Sequence, residues 1–195
     1  MRVFIGIDLD PAVRARIERF IEGVQGFAPE ARWVHPDSLH ITLKFIGEQA
    51  AERVEIIGAR LRRIESSAFE IRVGAYGFFP TVRAPRVFWI GIQAGPRLAE
   101  LAETIDRATM ELGIPREQWP YSPHLTLARA GGRSGSPKWR PGDEPNNTFA
   151  MLEQRLTATA ELDFGTIMAR EFILYQSLLS PGGSKYSRLQ RFPLF

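Results

Sequence analysis

The sequence contains no cysteine, which removes disulfides, thiolate zinc sites and a cysteine nucleophile from consideration. That absence fits a cytoplasmic protein. No apolar run approaches the ~20 residues of a membrane span. The opening MRVFIGIDLD reads as a strand, without the long apolar core and small-residue cleavage site of a signal peptide. No Gly-rich phosphate loop occurs, and the simple βαβ periodicity of a doubly wound parallel sheet is missing. Lysine is almost absent, with 3 against 22 arginines. The bias suits a GC-rich bacterial genome, and planar guanidinium groups also suit phosphate recognition. The net charge of +3 is too small to coat a long duplex, so any nucleic-acid contact is expected to be local.

Histidine is scarce too: there are 3, and two of them stand in one repeated pattern. LHITLKF (39–45) and PHLTLAR (123–129) both carry His-x-Thr-Leu, with His40 and His124 separated by 84 residues. RVFIGI begins at Arg2 and RVFWIGI at Arg86, the same offset, so each histidine falls 38 residues after its own Arg-Val-Phe. With only nine threonines in the chain, two coincidences of Thr at +2 in equivalent places are hard to ascribe to chance.

The intervening segments match in kind. Asp10-Pro11 supplies an N-cap and a proline at the first helical position, followed by a stripe of Val13, Ile17, Phe20, Ile21 and Val24. Gly95-Pro96 opens a second helix with Leu98, Leu101, Ile105 and Leu112 on one face, closing near Gly113. Residues 51–64 read as a helix through Val54, Ile57 and Leu61, residues 69–78 as a strand, and 149–158 as a helix. Residues 170–179 and 185–192 read as strands joined through SPGGS. The stretch 130–147, rich in Gly and Pro, reads as a long loop and a candidate substrate-side flap. These patterns predict one two-lobed α/β (α+β type) domain over 1–195, with a pseudo-twofold repeat of about 1–84 and 85–195. Its sheets are expected to be mostly antiparallel, with flanking helices.

In a strand, residues i and i+2 face the same way, so His40 and Thr42 share one face, as do His124 and Thr126. If the two strands lie near a pseudo-twofold axis, one cleft holds two imidazoles and two hydroxyls. One imidazole takes a proton from water, the other gives one to a leaving oxygen, and the hydroxyls hold an anion between them. A phosphodiester fits that set, and Arg129 adds a charge-assisted contact. His35, in WVHPDS, lacks both a threonine partner and a repeat equivalent and reads as a surface loop residue. A metal site is the chemical rival. It needs a third ligand, for which Glu48 is the only nearby carboxylate, and threonine is a poor ligand for a transition metal.

These residues carry a family likeness. The chain resembles the RNA 2′,3′-cyclic phosphodiesterase family, historically called 2′-5′ RNA ligases, within the two-histidine phosphoesterases. The likeness runs through RVFIGIDL, LHITLKFIGE (39–48), FFP and PRVFWIGI (78–92), SPHLTLAR (122–129) and GGSKYSRLQRFPL (182–194). The resemblance implies a bilobal fold with the histidines in a central cleft, and hydrolysis of a terminal 2′,3′-cyclic phosphate on RNA without metal or cofactor. It implies His40 as proton donor and His124 as the base that activates water. Thr42, Thr126 and Arg129 would hold the phosphate. Two other readings stand beside it. One is the same chemistry on small cyclic-phosphate nucleotides or 2′-5′ oligonucleotides, including reversible 2′-5′ ligation; the other is an idle RNA-binding module. The expected state is a cytoplasmic monomer with no obligate protein partner and no membrane association.

Overall fold

The structure, a computed structural model, describes residues 1–131, 144–180 and 183–195. Residues 132–143 of the expected flap, and residues 181 and 182 of the expected turn, lie outside the described residues.

Nine strands and four α-helices follow in the order β1 (Arg2–Asp8), α1 (Pro11–Val24), β2 (Ala31–Trp33), β3 (His40–Glu48), α2 (Ala51–Leu61), β4 (Phe69–Phe79), β5 (Val87–Gln93), α3 (Gly95–Met110), β6 (His124–Ala130), α4 (Ala150–Thr157), β7 (Asp163–Ala169), β8 (Glu171–Ser180) and β9 (Gly183–Pro193) among the described residues. Every strand pair is antiparallel. One sheet runs β3-β1-β8-β9 and the other β2-β6-β5-β4-β7. The α+β, antiparallel expectation is met.

The helices begin where their sequences direct. The Asp10 carboxylate accepts from the Ala12 N–H at 2.8 Å, Pro11 occupies the first turn, and Val13, Ile17, Ile21 and Val24 are buried. α3 buries Leu98, Leu101 and Ile105, and Gly113 at φ +80° turns the chain away beyond its end.

Each sheet draws on both halves of the sequence. β3-β1 in one sheet corresponds to β6-β5 in the other, and beside these pairs lie β8 and β4, each contributed by the opposite half. The helices cross as well. α1, which follows β1, packs on β7, and α3, which follows β5, packs on β3. Arg16 donates to the Phe164 carbonyl at 2.9 Å across the first contact, and buried Lys44 pairs with Asp106 across the second. The main core fills the helix-covered faces. A small separate cluster of Phe4, Ile173 and Tyr175, with Tyr186 packed against it, occupies the opposite face of the first sheet.

Two strands escape the sequence reading. β2 has only three residues. In β7, buried Phe164 and Ile167 are three apart, because Gly165 at φ +99° makes a bulge that breaks the alternation against β4. The repeat itself needs a correction of one residue. Phe4 pairs with Phe45 and Gly6 with Thr42, whereas Val87 pairs with Arg129 and Trp89 with Thr126. The histidine strands are thus offset by 84 residues but β1 and β5 by 83. A slip of one residue turns a side chain to the other face. The two Arg-Val-Phe phenylalanines therefore separate: Phe4 joins the cluster beside His40, and Phe88 lies in the main core.

Candidate active site

β3, an edge strand of one sheet, and β6, which lies beside the edge strand β2 of the other, touch each other and carry the two His-x-Thr motifs. The Tyr121 hydroxyl, just ahead of β6, donates to the Thr42 carbonyl of β3 at 2.8 Å. Both strands bulge at the same place. The register skips Leu43 between Thr42 and Lys44, and Leu127 between Thr126 and Ala128. Each bulge brings the residue five beyond its histidine back to the histidine's face. On β6 that residue is Arg129, half-buried; on β3 it is Phe45, exposed.

Each imidazole is fixed in the same way. His40 Nδ1 lies 2.8 Å from the Ser38 carbonyl oxygen, and His124 Nδ1 lies 2.8 Å from that of Ser122. A carbonyl only accepts, so Nδ1 carries the proton in both rings and Nε2 is left as the nitrogen with a lone pair. Aromatic rings clamp the imidazoles. His40 packs on Phe4 at 4.6 Å between centroids and meets Tyr186 edge-on at 5.0 Å. His124 meets Phe79 edge-on at 4.9 Å. Gly6 is required beside His40, since a Cβ there would lie 2.8 Å from the Ile41 carbonyl oxygen.

Burial pushes His40 down to about 4; its bond to Ser38 opposes the fall, Arg129 and Arg14 deepen it, and Asp8 works against it. His124 is lowered as well, by burial first and then by Arg129 against the opposing Ser122 bond. The Arg129 charge is therefore felt by both imidazoles. Both are neutral at pH 7, with a free Nε2 lone pair.

Asp8 lies directly across from His40 on β1. It accepts from Arg14 and Arg188, and from the Leu9 N–H at 2.9 Å. Arg188 also bonds the Tyr175 hydroxyl, whose pKa burial raises to about 12. This network ties β1, α1, β8 and β9 together behind one histidine. In the other sheet, Arg32 of β2 stands opposite Arg129, so two guanidinium groups face the same side of the sheet.

Thr42 and Thr126 are half-buried, opposite Gly6 and Trp89 respectively. His35 is exposed, and its ring accepts from the Asp37 N–H at 3.3 Å in the turn that leads to His40. Glu48, the carboxylate weighed as a metal ligand, sits at the far end of β3 beside the N-terminal amine at 3.6 Å. Among the described residues no three side chains of the ligand types His, Cys, Asp and Glu come together.

Asp8, Arg32, Phe79 and Tyr186 were not read from the sequence as site residues. Asp8, Phe79 and Tyr186 stand within stretches that carry the resemblance, but nothing in their spacing marks them. The serine two positions before each histidine, in SLH and SPH, repeats the offset of 84 and was open to view.

Known proteins match this arrangement over its whole length. The LigT like Phosphoesterase family signature covers residues 7–89. An Archaeoglobus fulgidus protein described as RNA 2′,3′-cyclic phosphodiesterase is 30% identical over 192 residues, 98% of this chain and 99% of that one. A Methanocaldococcus jannaschii protein of the same description is 31% identical over 95% of this chain and 96% of its own. Among solved structures, Escherichia coli LigT complexed with 3′-AMP superposes with a TM-score of 0.76 at 27% identity, covering 99% of this chain and 97% of that one.

Proposed function

The chain belongs to the RNA 2′,3′-cyclic phosphodiesterases of the LigT-like phosphoesterase family, and on that premise we propose that it hydrolyses terminal 2′,3′-cyclic phosphates on RNA to 2′-phosphomonoesters. His40 and His124 divide the proton transfers, and no metal takes part. The observation that carries the reading is the matched pair of imidazoles on equivalent strands, each held at Nδ1 by a carbonyl so that Nε2 is available.

The cyclic phosphate lies between β3 and β6. Thr42 and Thr126 donate their hydroxyl hydrogens to its non-bridging oxygens, and Arg129 supplies a charge-assisted contact. Neutral His124 Nε2 takes a proton from water as the water oxygen bonds to phosphorus. The bond from phosphorus to the 3′ oxygen breaks, and His40 Nε2–H delivers a proton to that oxygen, leaving a 2′-phosphate. Exchange with solvent then returns both imidazoles to their starting states.

The donor must enter the cycle protonated, although burial holds His40 at about 4. The bound phosphate anion supplies the missing negative charge, and Asp8 assists from across the strand. Among the described residues no carboxylate acts on His124 in the same way, and this asymmetry supports His40 as acid and His124 as base. Location follows the same reading: a cysteine-free enzyme of RNA ends acting as a cytoplasmic monomer, with no helix among the described residues long and apolar enough to cross a membrane.

Incubation with a short RNA ending in a 2′,3′-cyclic phosphate, followed by product analysis, tests the proposal. The expected product is the 2′-phosphate alone. A 3′-phosphate, or no turnover, contradicts it.

A further inference from the structure

The two sheets treat their arginines differently. On the first, Arg14 and Arg188 both pair with the Asp8 carboxylate, so their charge is spent within the protein. On the second, Arg32 of β2 stands directly opposite Arg129 of β6. Among the described residues no carboxylate pairs with either guanidinium. Besides burial, the groups that act on Arg129 are Tyr186 and Arg32 itself. Like charges placed directly opposite on a sheet are destabilising. An anion with two or more free oxygens reverses that cost, because each planar fork can donate to it.

Arg32 is exposed, yet its backbone is held firmly. β2 is only three residues long, and both neighbours of Arg32 are tied to the core. Ala31 is buried, and the Trp33 indole meets Phe88 edge-on and donates to the Ala28 carbonyl at 3.2 Å. Trp33 therefore takes the core face and Arg32 the open face. The next N–H, of Val34, donates to the Leu127 carbonyl at 2.8 Å, which fixes β2 against the bulge that turns Arg129 toward the imidazoles.

The arginine pair is displaced from the catalytic groups by a definite step. Thr126 lies opposite Trp89, and Arg129 lies opposite Val87, two residues further along β5. That is about 7 Å of strand, the reach of one nucleotide of backbone. Arg129 acts on both imidazoles, so it spans from the reacting phosphate to this second position, whereas Arg32 belongs to the second position alone.

We propose that Arg32 and Arg129 form a second phosphate subsite, which takes the backbone phosphate adjoining the cyclic end of an RNA strand. Arg32 is then the residue that distinguishes an RNA end from a free cyclic mononucleotide, which has no second phosphate. The inference rests on the hydrolytic reading above for the ligand of the cleft.

Rates of the full chain on three substrates test it. These are adenosine 2′,3′-cyclic phosphate, the adenosine dinucleotide ending in that cyclic phosphate, and the same dinucleotide with a neutral methylphosphonate replacing its backbone phosphate. Wild type should favour the ordinary dinucleotide over both others about tenfold in kcat/KM, the low end for a hydrogen bond to a charged group. Arg32→Ala should lose that preference and keep the mononucleotide rate, and Arg32→Lys should retain part of the preference. Removing one of two opposed like charges from an exposed position leaves the fold unburdened. A dinucleotide no better than the mononucleotide overturns the proposal, and so does a methylphosphonate as good as the phosphate. An equal loss on all three substrates in Arg32→Ala also overturns it, since Arg32 would then act only through Arg129. If no substrate turns over, the hydrolytic reading fails alone. Calorimetric titration with the two dinucleotides carrying a terminal 2′-phosphate then decides: an Arg32-dependent preference for the charged backbone supports the subsite, and equal binding overturns it.

Discussion

His40 and His124 hold one hydrogen bond in common: each Nδ1 lies 2.8 Å from the carbonyl oxygen of the serine two positions upstream. The bond settles the tautomer and the ring orientation from the backbone, before any substrate arrives. Replacing either ring by alanine is expected to cut turnover ~10²–10⁴-fold, the usual contribution of a positioned acid or base. Circular dichroism should be unchanged. Because the acceptor is backbone, Ser122→Ala should keep a near wild-type rate, and a large loss there would mean that the serine hydroxyl, not its carbonyl, matters.

Arg129→Lys should lower kcat/KM although the charge is kept. An ammonium cannot reproduce a planar fork, and Arg129 sits where both imidazoles feel it. Equal steady-state rates for the two proteins would reduce Arg129 to a diffuse charge.

Both imidazoles are lowered, so the pH dependence of kcat/KM, which reports free enzyme, should have its maximum on the acid side of 6.5. The profile of kcat should lie at higher pH, because the bound phosphate anion favours both imidazolium forms. The sign for stability is equally defined. His40 binds its proton more weakly folded than unfolded, so its stabilising effect is full above about 6.5 and is lost as pH falls toward 4. Urea titrations across that window should show wild type losing stability relative to His40→Gln as pH falls, and an unchanged difference between the two would contradict the lowered pKa.

Lys44 and Asp106 form a buried pair joining β3 to α3, with Arg116 donating to the same carboxylate at 2.8 Å. Burial alone would raise Asp106, but the Lys44 and Arg116 bonds outweigh it and hold the carboxyl low. Its contribution is therefore full above about pH 4, the unfolded value, and fades as pH falls through the folded one. Lys44→Met should cost about 3 kcal/mol in denaturant unfolding at neutral pH, and adding Asp106→Leu should recover part of the loss. No recovery would mean that Lys44 acts by shape rather than charge.

Activity should survive exhaustive chelation. Loss in EDTA, restored by one added divalent ion, would show that the reaction needs a metal.

Much of this was legible in the chain. Asp10-Pro11 and the stripe Val13, Ile17, Ile21 define α1, because capping and helical periodicity are local properties. The alternation in HITL and HLTL sets which side chains share a face. What was not legible depends on contacts between distant segments. The bulges at Leu43 and Leu127 arise from pairing with β1 and β5, and they alone bring Phe45 and Arg129 to the cleft. The exchange of β4 and β8 between sheets leaves no local signal, because a strand's pattern records burial and not its neighbour. The Arg-Val-Phe repeat was misleading by one residue, enough to send Phe4 and Phe88 to opposite faces. Asp8 gains its place beside His40 only through the β1–β3 register.

The division of labour between the two histidines is tested most directly by changing the leaving group. A ribose hydroxyl leaves poorly and needs a proton, whereas a nitrophenolate does not. Rates of wild type, His40→Ala and His124→Ala are compared on a 2′,3′-cyclic phosphate and on a nitrophenyl phosphodiester. His40→Ala should regain much of its relative rate on the activated ester, and His124→Ala should not, because its water still lacks a base. Rescue of His124→Ala in place of His40→Ala would reverse the roles, and equal rescue of both would contradict a divided acid and base.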